Sequence, residues 1–200
     1  IDSVSPDYQF KNISYGRYPD GADTWYHMHP NHGIANPPPP EVEPPSILIN
    51  EFLASSLECC ADEYGENEDF VEIYNFGETI VNIDGLIFTD GTDSGTLIQS
   101  DNLEDTEVNP GSHQALWFDA QVDQGIFHIA TKLSSNGEEI YIFDTHSLEI
   151  VDEVTYGIQE QDISYGRSPD ASDNWDYFSS PTPGYCNDCL DYLFELHIGA

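Results

Sequence analysis

Basic side chains are almost missing from this chain. Four Lys and Arg (Lys11, Arg17, Lys132 and Arg167) stand against 38 Asp and Glu, for a formal net charge of −34 and a sequence pI near 4.1. Phosphate backbones and anionic headgroups recruit basic surfaces, so neither nucleic acid nor an anionic membrane surface is an expected partner. No run of 18 or more apolar residues occurs, so membrane insertion through a spanning helix is not expected either. Common catalytic motifs are missing too: there is no G-x-S-x-G, no H-E-x-x-H, no phosphate-cradling glycine loop and no Cys beside a basic residue that would lower its pKa. Carboxylates are so abundant that two lying close together would not argue for hydrolysis. The chain is therefore expected not to be an enzyme. No secretory leader is recognisable, and a start at Ile1, in mid-repeat and without Met, is expected of a processed or trimmed product.

A charge this one-sided also marks disordered chains. Twelve Tyr, ten Phe and three Trp argue for a packed structure instead. Two explanations of the acidity stay open: a solvated surface suited to salty or divalent-rich water, or carboxylates gathered to bind cations.

The strongest pattern is an internal repeat. Residues 162–187, DISYGRSPDASDNWDYFSSPTPGYCN, restate residues 12–36, NISYGRYPDGADTWYHMHPNHGIAN, at a constant offset of 150 residues. The block ISYGR is identical, as are Pro19 and Pro169, Asp20 and Asp170, Asp23 and Asp173, and Trp25 and Trp175. A one-residue slip then aligns Pro30 with Pro181, Gly33 with Gly184 and Asn36 with Asn187. The chain thus reads as one whole repeat, residues 47–187, preceded by the tail end of another, residues 1–36. Between them, PPPPEVEPPS at residues 37–46 is a stiff, extended spacer, and residues 188–200 form a C-terminal extension. A segment as short as residues 1–36 buries too little apolar surface to fold alone, so it must pack onto something else.

Within the whole repeat, short apolar or alternating runs recur between turn residues: ILINEFLAS, DFVEIYNFG, the stretch around Leu86 to Phe88, Ala115 to Phe118, EEIYIFD and LEIVDEVTYG. In DFVEIYNFG, Val71 and Ile73 alternate with Phe70, Glu72 and Tyr74, which predicts a strand with one core face and one polar face. No stretch longer than about ten residues keeps a helical period without a breaker. The expected fold is all-β, a sandwich of two sheets.

The four cysteines fall in two pairs, Cys59–Cys60 and Cys186/Cys189. Two disulfides stapling the loop after the first strand to the segment after the last, in an oxidising compartment, is the first reading. Four thiolates on zinc is the second, and free thiols are the third.

These segments, in this order and ending in the S-Y-G-R-x-P-D…W…P-T-P-G…N signature, resemble the lamin tail domain in its bacterial, secreted form. The resemblance spans about 140 of the 200 residues as a whole domain, and the first tail copy accounts for most of the rest. It implies an immunoglobulin-like β-sandwich and a non-catalytic module of secreted or cell-surface proteins. Two departures stand out. Phe70 occupies a position that is usually Trp in that family, and the first tail has P-N-H-G where the second has P-T-P-G.

Arg17 and Arg167 are expected to be structural, each guanidinium bonding backbone carbonyls or an Asp nearby, Asp20 or Asp23 in the first copy and Asp170 or Asp173 in the second. Trp25 and Trp175 are expected to plug the sandwich end. His27, His29 and His32 are candidates for a transition metal, or simply surface histidines. Asp62, Glu66 and Asp69 in one acidic loop, and Asp90 and Asp93 in another, are calcium candidates, although neither loop matches the twelve-residue hand pattern. The expected function is an extracellular structural module that assembles head to tail with identical subunits, into a fibre or surface array, through strands contributed by residues 1–36. The alternative is a ligand-binding or calcium-dependent adhesion module cut from a larger secreted protein or hydrolase.

Overall fold

The apolar runs fold as strands, and the computed structural model describes residue 4 and residues 9–91 and 95–187. In chain order the strands are β1 (Ser14–Arg17), β2 (Trp25–Met28), β3 (Ile47–Leu53), β4 (Phe70–Asn75), β5 (Val81–Asn82), β6 (Leu86–Thr89), β7 (Thr96–Leu97), β8 (Glu107–Val108), β9 (His113–Phe118), β10 (His128–Ile129), β11 (Glu138–Asp144), β12 (Glu149–Tyr156), β13 (Ser164–Arg167) and β14 (Trp175–Phe178). The expected all-β class is what the chain adopts; the one helical element among the described residues is a 3-10 turn, Leu103–Thr106.

Two sheets carry the architecture. A six-stranded sheet runs β10-β9-β4-β3-β13-β14, and a four-stranded sheet runs β12-β11-β6-β7. All neighbours in them are antiparallel except β9 and β10. The alternation seen in the sequence decides which residues meet between them. Ile47, Ile49, Phe52, Val71, Ile73, Leu116 and Phe118 of the first sheet pack on Leu86, Phe88, Ile140 and Ile142 of the second. Burying such side chains is the main favourable contribution, on the order of 2 kcal/mol each.

The first tail copy is not left in solvent. β1 and β2 form a separate antiparallel pair. Phe10 and Ile13, just ahead of it, pack on Tyr141, Phe143 and Leu148, on the outer face of the four-stranded sheet. Phe10 stacks on Phe143 with ring centroids 3.9 Å apart, and His27 meets the same ring edge-on at 5.4 Å. The chain's own sheet therefore supplies the apolar companion that so short a segment requires. The outer backbone edges of β1 and β2 have no strand partner among the described residues.

The polar face expected for β4 is corrected: Glu72 has no exposure at all, because the segment after β14 covers it. Phe70, on that same outward side, is buried with Leu53 and Trp117.

Phe10→Ala should cost the hairpin's docking about 3 kcal/mol, the usual loss for a large buried ring. Hydrogen exchange should accelerate across β1 and β2 while β3, β4 and β11 keep their protection; unchanged exchange in the hairpin would contradict this packing.

Candidate functional site

β3 carries an irregularity. Its register with β4 passes from Ile49 opposite Ile73 to Glu51 opposite Glu72, leaving Asn50 as an extra residue. A bulge of this kind re-aims side chains, and here it turns Asn50 toward the covering segment. Asn50 Nδ2 donates to Glu72 Oε1 and to Asp170 Oδ1, each at 3.0 Å, and Asn50 Oδ1 accepts the Ala171 amide.

Glu51 and Glu72 then hold the chain's last described turn. Glu72 Oε2 accepts the amides of Gly184 at 2.7 Å and Tyr185 at 3.1 Å. Glu51 accepts the Thr182 amide and hydroxyl, the latter at 2.8 Å, and the Ser164 hydroxyl. Asn187 completes the clasp: its amide donates to Asp170 Oδ1 at 3.0 Å and its Nδ2 to the Arg167 carbonyl at 2.8 Å. His113 Nε2 lies 3.1 Å from Asp170 Oδ2. Gly166 is needed where this segment crosses β3, since a Cβ there would sit 2.7 Å from Asn187 Nδ2 and 2.9 Å from the Asn50 carbonyl.

Electrostatics follow from that enclosure. Burial pushes Glu72 up to about 9, against the hydrogen bond from Asn50 and with help from the neighbouring Glu51 charge. Burial also raises Glu51, opposed by its bonds to Ser164 and Thr182. For Asp170 burial acts upward but loses to the hydrogen bonds from His113, Asn50 and Asn187, which hold it below the usual carboxylate range.

Arg167 fixes the other side of the bulge. Its Nε donates to the Ile49 carbonyl at 2.8 Å, Nη1 to the Ser172 carbonyl at 2.8 Å, and Nη2 to Asp152 Oδ2 of the opposite sheet at 3.2 Å. The expected partners Asp170 and Asp173 are thus corrected to Asp152, because the guanidinium points between the sheets while Asp170 faces Asn50 and His113. Trp175 lies beneath it, 4.9 Å from guanidinium carbon to ring centroid, and packs on Phe52 and Tyr165 at the edge of the main core.

The first copy reproduces the interior of the second. The strand registers are the same, residue for residue. Arg17 lies 4.8 Å over Trp25 and donates to the Ala22 carbonyl, Asn36 Nδ2 donates to the Arg17 carbonyl at 2.8 Å, and the Asn36 amide donates to Asp20 Oδ1 at 3.2 Å. Arg17 also reaches Asp23 at 3.7 Å, as expected.

Other anticipated residues are placed differently. Cys59 is bonded to Cys60, so the loop is not stapled to the chain's end through sulfur; Cys186 is disulfide-bonded as well, and Cys189 lies outside the described residues. Asp162 does the stapling. Its Oδ1 accepts the amides of Leu57 at 2.8 Å, Glu58 at 3.0 Å and Cys59 at 3.3 Å. The side-chain bond from Gln161 first, and then these amides, hold its carboxyl down at about 2.

His27 is wedged among Phe10, Tyr15 and Phe143, whereas His29 and His32 are exposed, so the three do not converge. Within the first acidic loop, Glu66 turns to Gln121 and Gln124, and Asp69 accepts the Ser56 amide. Asp62 instead faces Asp119 and His128. Asp90 accepts the Thr131 hydroxyl, and Asp93 lies outside the described residues. Glu51, Glu72 and Asn50 were not singled out from the sequence. A Glu between apolar neighbours, as in N-E-F-L and V-E-I-Y, is also what an exposed face of a half-buried strand looks like, so the sequence carries no signal that these two are covered.

No family model matches the chain, and neither a curated protein nor a solved structure does.

A lysine at position 167 keeps one charge but not the fork, so Arg167→Lys should lower stability by about 1–3 kcal/mol in chemical denaturation. Glu72 binds its proton more tightly folded than unfolded, so its contribution is fully present below the unfolded value near 4.5 and is lost as pH rises toward about 9. The slope is at most about 1.4 kcal/mol per pH unit. A carboxyl carbon-13 titration of Glu72 with a midpoint near 4.5 would refute it.

Proposed function

We propose that the chain is a non-catalytic, extracellular structural module of the lamin-tail, immunoglobulin-like kind, which associates head to tail with its own copies through residues 1–36. The facing sheets and the order of the motifs support the family reading. Disulfide-bonded Cys59, Cys60 and Cys186 and the acidic composition support an oxidising, extracellular setting.

The observation that carries the assembly is the duplicated hairpin. β1–β2 has the register, the Arg-over-Trp stack and the Asn clasp of β13–β14. Among the described residues it meets no acceptor such as Asn50, Glu51 and Glu72. Each body offers one such acceptor, already filled by the segment that follows β14, so a visiting β1–β2 enters by exchange or by adding to the edge of β14 that carries no strand among the described residues. Either contact joins unlike surfaces, and where the rotation between copies does not close a ring or a reciprocal pair it propagates as a fibre.

Sedimentation of the full chain over a rising concentration series tests this. Association should increase with concentration, and Phe10→Ala, which frees the hairpin from its own sheet, should move the midpoint to lower concentration. Both chains remaining monomeric throughout would sink the proposal.

A further inference from the structure

Asp62 sits in the loop ahead of β4 with 8 % exposure, and its Oδ1 accepts the amides of Tyr64 at 2.8 Å and Glu66 at 2.9 Å. Its Oδ2 is buried and has no hydrogen-bond partner. A carboxylate oxygen sealed from water with nothing to bind is costly, and such an atom in a native fold calls for a missing ion or donor.

What faces it is a second carboxylate and an imidazole. Asp119 follows β9 and His128 opens β10, and the side chains of both are wholly buried. One donor atom from each of Asp62, Asp119 and His128 falls within 4.8 Å of the other two. His128 Nδ1 contacts Asp119 Oδ2, while Nε2 lies 3.2 Å from Glu63 Oε1. On the β9–β10 loop, Gln124 Oε1 is another buried oxygen without a partner. A cleft lined by Leu97, Val122, Asp123 and Gly125 leads to His128.

We propose that Asp62, Asp119 and His128 bind a divalent first-row transition ion of the zinc class. One imidazole nitrogen and two carboxylates make a three-ligand set with room for water or a further oxygen at the fourth position. Calcium takes six or more oxygens and no nitrogen, so it is the poorer occupant. In the loaded site His128 Nδ1 is the ligand, and Nε2–H stays on Glu63, the outer carboxylate that fixes the ring. Binding at His128 Nδ1 requires that nitrogen to be free of a proton, so loading releases any proton it carries.

Calorimetric titration of the metal-stripped full chain with ZnCl2 and CaCl2 tests the site. One equivalent of zinc should bind, about 100-fold more tightly than calcium. Asp62→Asn keeps an oxygen for the two amides and should weaken zinc about tenfold or more, whereas His29→Gln with His32→Gln should leave that equivalent in place. If the Asp62 variant fails to fold, nitrogen-15 spectra of the unaltered chain decide: zinc should move the His128 Nδ1 resonance. No zinc equivalent, an equivalent lost with His29 and His32, calcium binding tighter than zinc, or an unmoved His128 resonance would each overturn the assignment.

Discussion

Two glutamates shut away from solvent, Glu51 and Glu72, determine how the rest of the chain is held. A buried carboxyl without donors is among the more destabilising features a core can contain. These two find theirs on the Thr182, Gly184 and Tyr185 amides. The covering turn thereby gains acceptors for amides that would otherwise be orphaned. Neither partner is satisfactory without the other, so strand pairing in the middle of the six-stranded sheet and closure of its outer face are coupled. The bulge at Asn50 and the glycine at 166 are the local geometry that lets them meet.

Much of the fold was legible because a half-buried strand writes period two into its residues, and the runs around Val71, Leu116, Ile140 and Ile142 do so clearly. The hairpins were legible because they are written twice. Alternation alone misassigned Glu72, since period two says which side a residue faces but not what covers that side. Arg167 was recognised as structural, yet its partner Asp152 comes from another sheet, a pairing that sequence proximity to Asp170 and Asp173 concealed. The histidines at 27, 29 and 32 drew notice through spacing, whereas His128, Asp119 and Asp62 are brought together only by the β9–β10 loop and the acidic loop. Sequence distance hid that group.

The two hairpins show one local structure serving two environments. In the second copy the face bearing Tyr165 and Trp175 extends the core between the sheets. In the first, the corresponding face, with Tyr15 and His27, lies toward Phe10 and Phe143 on the outside of the other sheet. The arginine, tryptophan and asparagine contacts are internal to the hairpin and survive the change. Local geometry is thus set by the repeated motif, and docking by whatever apolar surface is within reach.

The proline segment keeps the leading hairpin close to the sheet it rests on. Ten residues of extended chain reach roughly 30 Å, which confines the leading hairpin near its own four-stranded sheet at an effective concentration on the order of millimolar. In the association proposed above, a neighbouring molecule would have to outcompete a tethered rival, so the spacer's length and stiffness would act as a threshold on crowding.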